Sequence, residues 1–326
     1  MKHRILPLLL AVGVALGLAA CGGDDGDGAA DGGPRRATLA LDWFAQPSNG
    51  GPYAAQDAGY YRDRGIELTI QPGSAQATSI QIVGGGKAQF GLETAENILQ
   101  ARDKGVPIVA LAATLQKSPA VLLYHRGQPI RSYRDLNGRT VYTQIGAPVW
   151  QYQKKKYGLD DVKDRQFAGS YAPFAKDERA VAQGYVTSSP AQLKAQGVDV
   201  DVLENPEGIG YGSVLFTTER EIRDHPDLVR DVVAATVQGW ERYRDHDDEV
   251  SAVLARNAKG RTVEDLKAEG EAQKPFIWTG DAETHGFGWT TAARWQATAD
   301  LLLKAGAIGK PADVRKAFTT EFLPQR

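Results

Sequence analysis

The chain has 326 residues, and its 38 lysines and arginines nearly balance 40 aspartates and glutamates, so the formal charge is −2. So little net charge argues against nucleic acid as the main partner. Cys21 is the only cysteine, which excludes an internal disulfide and a metal site made of several thiolates. The histidines are scattered without the spacing of metal ligands, and we predict neither a metal ion nor a cofactor.

The first twenty residues have the pattern of a secretory signal peptide. Lys2 and Arg4 precede an apolar run over residues 6–20, which is shorter than the roughly twenty residues needed to cross a membrane. The run ends in Leu18-Ala19-Ala20-Cys21, which resembles the lipobox of bacterial lipoproteins, where the cysteine is acylated and becomes the first residue. We predict a signal peptide over 1–20 and a lipid anchor at Cys21. The alternative is a buried apolar cysteine.

The next segment has the composition of a flexible tether. Residues 22–33 include four aspartates and no large apolar side chain, so burial cannot offset the entropy lost on ordering them. We predict a tether over 21–36 that holds a monomeric folded body beside a membrane. The expected location is the periplasm or the outer face of the cell membrane. No later segment is apolar enough to span a membrane.

From residue 37 onward the sequence alternates between predicted strands and helices. The predicted strands are 38–43, 67–70, 89–92, 107–113, 120–124, 139–143, 185–187, 198–203 and 213–217. The predicted helices are 53–63, 75–83, 95–104, 148–157, 177–183, 190–196, 227–245, 262–272 and 291–305. This alternation is typical of an α/β fold with largely parallel sheets.

The pattern predicts two α/β lobes joined by a hinge, with a ligand cleft between them. We assign residues 37–128 and 222–326 to the first lobe and residues 129–221 to the second. The strand over 213–217 could return the chain to the first lobe. Two sheets whose strand ends face each other would enclose a small molecule.

Short motifs along the body resemble the SsuA/THI5-like (NMT1-like) family of solute-binding proteins. They include Leu41-Asp42-Trp43-Phe44, Gly51-Pro52-Tyr53-Ala54-Ala55, Gly59-Tyr60-Tyr61, Gly86-Lys87-Ala88-Gln89-Phe90-Gly91 and Tyr185-Val186-Thr187-Ser188-Ser189-Pro190. The resemblance implies a type II periplasmic-binding fold and an ABC permease as partner. Bacterial members carry sulfonates, thiamine-pyrimidine precursors, riboflavin and related compounds. Relatives often have an acidic residue at the position of Ser189, so the ligand contact supplied there is open.

We therefore expect a substrate-binding lipoprotein that delivers a small molecule, such as a thiamine-pyrimidine-type or other heteroaromatic precursor, to an ABC importer. A sulfonate- or taurine-binding protein of the same family is one alternative. A ligand-sensing module for a membrane partner is another. The third is a thiamine pyrimidine synthase. The resemblance implies that this enzyme branch depends on a cysteine-rich motif, and the chain has only Cys21, so we predict no enzymatic activity and no catalytic residues.

Four candidate ligand contacts follow the first two strands. Trp43 and Phe44 end the first strand and could stack on a planar ligand, the alternative being core packing. Asn49 precedes the helix near Gly51 and could cap it or bind a heterocycle edge. Ser74 stands at a helix start, where it could contact ligand or serve as a cap.

Three further candidates of the first lobe follow its later strands. Glu93 or Thr94 could meet an amino group of the ligand, because a carboxylate or hydroxyl at a strand end can accept its hydrogen bonds. The neighbouring Glu96 fits the first turn of a helix, where acidic residues are favoured. Gln116 lies near a predicted hinge and could contact the ligand or lie in a solvated loop.

The second lobe contributes five candidates. Gln144 and Gly146 link a strand to a helix start, which favours anionic or polar groups. Trp150 lies one turn into that helix and could cover the ligand or pack in the core. Thr187 and Ser188 end the next strand and could donate or accept hydrogen bonds. Tyr171 and Tyr211 are weaker candidates on the same lobe.

Overall fold

The computed structural model describes residues 33–73, 77–206, 208 and 210–325. The predictions for the signal peptide, for Cys21, for most of the tether and for Ser74 lie outside these residues. Within the described ranges, no helix combines the length and apolar character needed to cross a membrane.

The body contains ten described strands and twelve described α-helices. The strands are β1 (Arg35–Ala40), β2 (Ile66–Gln71), β3 (Phe90–Glu93), β4 (Ile108–Leu115), β5 (Ala120–His125), β6 (Thr140–Thr143), β7 (Lys163–Gln166), β8 (Val181–Tyr185), β9 (Val200–Glu204) and β10 (Ser213–Thr218). The helices are α1 (Gly50–Asp57), α2 (Ser79–Gly84), α3 (Ala95–Asp103), α4 (Pro148–Tyr157), α5 (Ala172–Ala175), α6 (Ser189–Ala195), α7 (Glu219–Asp224), α8 (Pro226–Asp245), α9 (Asp247–Asn257), α10 (Val263–Ile277), α11 (Asp281–His285) and α12 (Ala292–Ala305).

Two five-stranded sheets form the centre of the two lobes. The first has the order β2-β1-β3-β10-β4 and the second the order β7-β6-β8-β5-β9. In each sheet a single strand runs against the others: β10 is antiparallel to β3 and β4, and β5 is antiparallel to β8 and β9. The predicted α/β architecture with two sheets is confirmed.

Two strands lie on the opposite side of the predicted lobe boundaries. β5 was expected in the first lobe but pairs with β8 and β9 in the second sheet, and β10 returns to the first sheet. Both strands are apolar on both faces, so their composition suits the middle of either sheet. The chain therefore crosses between lobes in the segments that join β4 to β5 and β9 to β10, and not at 128/129 and 221/222. We call these segments the two crossovers; their described residues are 116–119 in the first and 205, 206, 208 and 210–212 in the second.

The predicted helix over 177–183 is wrong, because strand β8 begins at Val181. Val181 and Ala182 are buried between β6 and β5, and this pairing outweighs local helical preference. Gly184 explains why the strand fits there. A Cβ at this position would lie 2.5 Å from Leu123 Cδ1 and 2.8 Å from Ser189 Oγ. The short strand β7, beside β6, was absent from the predicted elements.

Helices α1 and α8 approach closely enough for their backbones to touch. A Cβ added at Gly239 of α8 would lie 2.2 Å from the Gly51 carbonyl oxygen and 2.7 Å from Ala55 Cβ. The same contact lets Trp240 bury its ring completely against α1. Glycine at position 239 therefore sets the spacing between α1 and α8.

We expect Gly239→Ala to lower the free energy of unfolding by about 1–3 kcal/mol, although alanine is the better helix former. The added methyl group would meet main-chain atoms of α1 that no side-chain rotation can move. Urea unfolding followed by tryptophan fluorescence measures the change. Gln238→Ala, at the exposed neighbouring position, is the control and should change stability little. Equal stability of Gly239→Ala and the parent would show that α1 can shift freely.

Candidate functional site

A cavity of about 330 Å³ lies between the two sheets and is lined from both lobes. It sits where parallel strands end. Asp42 follows β1, Glu93 ends β3, Thr143 ends β6 and Tyr185 ends β8. Carboxyl ends of parallel strands are the usual ligand position in such sheets, and the volume suits a small molecule.

The floor on the first lobe carries two neighbouring carboxyl groups. Glu93 is buried, and its Oε1 accepts hydrogen bonds from Asn97 Nδ2 at 2.9 Å and from the Thr94 amide at 3.0 Å. Asp42 Oδ1 accepts one from Asn49 Nδ2 at 3.0 Å. Four donors thus fix the carboxyl groups in place, since Ser79 Oγ also lies 3.4 Å from Glu93 Oε2.

Burial makes these carboxyl groups hold their protons more tightly than usual. It raises the pKa of Asp42 to about 7, and the nearby charge of Glu93 adds to the effect. Burial also raises the pKa values of Glu93 and Glu96, which lines the same cavity. The floor therefore changes its charge, and its balance of hydrogen-bond donors and acceptors, near neutral pH.

Basic side chains are missing from the described lining. Three carboxyl groups face the cavity, and none of its described lining residues is lysine, arginine or histidine. The remaining polar groups are amides and hydroxyls. Where these carboxyl groups are ionised, as Asp42 is above about pH 7, this composition gives a site that is acidic, rich in hydrogen-bond acceptors and unfavourable to an anion.

An aromatic wall closes one side of the cavity across the two lobes. The Trp43 ring of the first lobe lies 6.4 Å from the Phe167 ring of the second, with 19° between their planes. Tyr171 continues the wall at 5.1 Å from Phe167. Flat rings in this arrangement suit contact with a planar ligand.

The wall on the second lobe is a network of amides and hydroxyls. Gln183 Oε1 accepts hydrogen bonds from the Gln144 amide at 2.7 Å and from Thr143 Oγ1 at 3.2 Å. Ser189 Oγ accepts one from Tyr171 at 2.7 Å and one from the Tyr185 amide at 2.9 Å. Ser189 thus lines the cavity and orients Tyr171.

The cavity also extends beneath α4. Trp150 Nε1 donates to Asp164 Oδ1 at 2.9 Å, which fixes the indole at the cavity edge. Gln153 Nε2 bridges Tyr133 Oη at 3.0 Å and Asn205 Oδ1 at 2.6 Å. The part of the cavity lined by Tyr133, Gln153 and Asn205 is therefore neutral and polar, in contrast to the acidic floor.

Six of the twelve predicted contact residues line the cavity. They are Trp43, Glu93, Thr94, Gln144, Trp150 and Ser188. Tyr171 lines it as well, whereas Tyr211 is buried outside it, where its hydroxyl donates to Asp281. Ligand contact by these residues stays a prediction. Thr94 also caps α3, because its Oγ1 accepts from the Asn97 amide at 3.3 Å.

Five predicted residues lie outside the cavity lining. Phe44 is 49% exposed and meets the Trp43 ring edge-on. Asn49 is buried and binds Asp42, so it supports a lining residue from behind. Gln116 donates to the Trp289 carbonyl at 2.9 Å and belongs to a crossover. Gly146, with φ of +88°, forms the turn before α4, and Thr187 lies in the turn after β8.

Several lining residues were not among the predicted contacts. Asp42 stands in the motif between Leu41 and Trp43, and a polar residue directly after a buried strand could have revealed it. Gln183 and Tyr185 were hidden by the wrong helix over 177–183. Phe167 follows β7, which had no clear strand pattern in the sequence. No group of three or more His, Cys, Asp or Glu side chains within the described residues is placed to hold a metal ion.

Comparison with known proteins finds relatives along nearly the whole body. The riboflavin-binding protein RibY of Chloroflexus aurantiacus is 26% identical over 311 residues, covering 89% of this chain and 86% of that protein. The formylaminopyrimidine-binding protein of Halalkalibacterium halodurans is 22% identical and covers 98% of each chain. The 4-amino-5-hydroxymethyl-2-methylpyrimidine phosphate synthase of Legionella pneumophila is 29% identical over 63% of this chain and 68% of that protein.

Solved structures show the same fold. The alkanesulfonate-binding protein SsuA of Xanthomonas axonopodis pv. citri, solved with MOPS, superposes with a TM-score of 0.67. It is 16% identical and covers 88% of this chain and 99% of that one, which makes this a periplasmic-binding-protein fold. The NMT1/THI5-like family model matches residues 46–250, a span that contains most of both sheets and most of the cavity lining. The chain belongs to the NMT1/THI5-like family.

Proposed function

We propose that the protein is an extracytoplasmic solute-binding protein that delivers a small heteroaromatic molecule to an ABC importer. The observation that carries this proposal is the cavity between two lobes, with an aromatic wall beside an acidic floor. A planar ring would lie against Trp43 and Phe167. Its amino or imino groups would donate hydrogen bonds to Asp42 and Glu93.

The acidic floor favours an uncharged or cationic ligand over a sulfonate. A sulfonate would have to sit beside three carboxyl groups, with no lysine, arginine or histidine among the described lining residues to offset its charge. The names of the two binding-protein relatives, riboflavin-binding and formylaminopyrimidine-binding, agree with a heteroaromatic ligand. The fold likeness to a sulfonate-binding protein does not carry over to the ligand.

Binding without turnover is also part of the proposal. The relatives include a synthase, that of Legionella, but RibY and the formylaminopyrimidine-binding protein, which each cover more than four fifths of this chain, are binding proteins by name. The chain has one cysteine, whereas we associate the synthase branch with a cysteine-rich motif. Lobe closure around the ligand, with release to a permease, requires only that the ligand contact both lobes.

A thermal-shift screen tests the ligand class. Riboflavin, 4-amino-5-hydroxymethyl-2-methylpyrimidine and formylaminopyrimidine form one panel, and taurine and MOPS form the other. We expect at least one heterocycle to stabilise the protein by about 2.7 kcal/mol when present at about a hundred times its Kd. For a body of this size, this corresponds to a rise of about 4 °C in Tm.

Two variants show whether the stabilising compound uses the aromatic wall. Trp43→Ala should lose most of the shift, because it removes one face of the stacked pair. Phe44→Ala, beside it but outside the cavity, should keep most of the shift. Stabilisation by the sulfonates alone would overturn the heteroaromatic assignment.

The pH dependence of affinity tests the acidic floor. A ligand that donates to Asp42 needs the carboxylate form, whose population falls as pH drops through about 7. Titration calorimetry should therefore find constant Kd at high pH and weakening by up to about tenfold per unit below pH 7. An anionic ligand would show the opposite slope.

Asp42→Asn should bind more weakly and lose most of this pH dependence. Glu221→Gln is the matched control, because burial also raises the pKa of Glu221, but this residue lies on α7 outside the cavity. That variant should keep the parental pH profile. An unchanged profile in Asp42→Asn would remove Asp42 from the ligand site.

We also propose that Cys21 anchors the exported protein by a lipid, on the strength of the apolar run and the small residues before it. In a bacterial host, the parent should partition into the detergent phase on Triton X-114 extraction. Cys21→Ala should move to the aqueous phase, because one cysteine carries the whole anchor. Retention of Cys21→Ala in the detergent phase would contradict this model.

A further inference from the structure

The two crossovers run side by side from the first sheet to the second. Ser213 pairs with Leu115 at the first-sheet end, and Val121 pairs with Glu204 at the second. Between these points, a Cβ at Gly212 would lie 2.5 Å from the Lys117 carbonyl oxygen. The crossovers are therefore in backbone contact, and any rotation of one lobe against the other must bend both.

Arg294 of α12 joins both crossovers to the first lobe. Its Nη2 donates to the Gln116 carbonyl on one crossover and to the Gly210 carbonyl, at 3.0 Å, on the other. Its Nη1 lies 3.3 Å from Gln116 Oε1. The guanidinium also packs 4.2 Å from the centre of the Tyr211 ring. The planar guanidinium of Arg294 thus contacts four groups of the crossovers, namely three oxygen atoms and one aromatic ring.

Neighbouring contacts strengthen this attachment. The Tyr211 hydroxyl donates to Asp281 Oδ2 at 2.5 Å and accepts from the Thr291 amide at 2.8 Å. The Lys117 amide donates to the Phe276 carbonyl at 3.0 Å. Residues 116–117 and 210–211 are therefore fixed to helices and turns of the first lobe.

The other ends of the crossovers are attached to the second lobe. The Val186 amide donates to the Pro119 carbonyl at 3.0 Å, and Gln153 donates to Asn205 Oδ1. Among the described residues, these two sets of contacts leave Ser118 on one crossover and Pro206 and Gly208 on the other between the attachments. Hinge motions in two-lobed proteins are absorbed by a few such loop residues, so we expect bending to be concentrated there.

Glu96 lies between this hinge and the ligand cavity. Its carboxyl group lines the cavity, accepts a hydrogen bond from the Gly210 amide and lies near the Arg294 charge. A Cβ at Gly210 would fall 2.4 Å from Glu96 Oε1, so only glycine allows this approach. A ligand that contacts Glu96 would act directly on the crossover that Arg294 holds.

We infer that Arg294 is the positioning residue of the hinge, fixing both crossovers to the first lobe, and that Glu96 links this clamp to the ligand cavity. This inference rests on the proposed function only for the link to a ligand. The clamp itself limits how far the lobes move when the cavity is empty, because it restricts which crossover residues can bend.

Distances between spin labels on the two lobes, measured without ligand by double electron-electron resonance, test the clamp. The full chain would carry Cys21→Ser, so that labels react only at Glu264→Cys on α10 and Lys194→Cys on α6, both exposed positions. We expect Arg294→Gln to broaden the interlobe distance distribution about twofold. The two-nitrogen fork of the guanidinium binds both crossovers, and without it the lobes gain relative orientations that these hydrogen bonds exclude. Arg294→Lys, which keeps the charge but loses the fork, should broaden it less.

Arg102→Gln is the matched control. Arg102 also donates to a main-chain carbonyl, that of Ile108, and pairs with Glu219, but it lies away from the crossovers. Its distance distribution should equal the parental one even if its stability falls. An unchanged distribution in a folded Arg294→Gln would overturn the clamp, and if that variant does not fold, an unchanged Arg294→Lys would do the same.

The link through Glu96 has its own readout. Glu96→Gln should reduce the narrowing of the distance distribution caused by a compound that stabilises the parent in the thermal-shift screen, with the empty protein little changed. If the ligand narrows the distance distribution of Glu96→Gln as much as that of the parent, the link through Glu96 is wrong. The role of Arg294 would be unaffected by that result. If no heterocycle binds, the ligand proposal fails, while the measurements on the empty protein still decide the clamp.

Discussion

Two neighbouring carboxyl groups, that of half-buried Asp42 after β1 and that of buried Glu93 at the end of β3, are the arrangement on which the site depends. Burial of charge without partners is costly, and the protein offsets that cost with donors from Asn49, Asn97, Thr94 and Ser79. These donors come from helices that begin just beyond the strands. The sheet and its helix starts therefore hold the acidic floor before any ligand arrives, which reduces the ordering cost of binding.

The second requirement is that both lobes contribute to the cavity. Trp43 of the first lobe and Phe167 of the second together form the aromatic wall. The chain passes between the lobes only through crossovers that touch at Gly212. A cavity lined in this way favours selective binding. A ligand that contacts both lobes must form hydrogen bonds with the carboxyl groups of the first lobe and with the amides of the second at the same time.

Membership in the NMT1/THI5-like family does not distinguish ligand binding from catalysis. That distinction depends on the side chains that line the cavity. The family model spans a fold shared by binding proteins and a synthase, and the fold alone does not separate them. In this chain the described lining offers acceptors, amides and aromatic faces. Under the proposed function, these groups would bind a planar, uncharged or cationic molecule, because the described lining has no basic side chain to neutralise an anion.

Much of the architecture could be predicted from sequence, because alternating βα units and buried strands leave local patterns. The α/β class, the two sheets and the family were predicted from these patterns. Six of the predicted contact residues, among them Trp43 and Glu93 at strand ends, line the cavity, and their contact with a ligand stays a prediction. Strand β8 was missed because Val181 and Ala182 are fixed by pairing with β6 and β5, which no local window contains. Phe167 was missed for the same reason, through β7.

The sequence by itself therefore determined the fold class, the family and the kinds of side chain at the first strand ends. Only the tertiary structure decided which sheet β5 and β10 join, because both are apolar on two faces and fit either sheet. It also decided that Asn49 supports Asp42, and that Arg294 reaches Gln116 and Gly210 from far along the chain. The Arg294 contacts join residues 178 and 84 positions apart, and the short-range contact of Asn49 with Asp42 depends on the path of the loop after β1. Composition and periodicity do not contain this geometry.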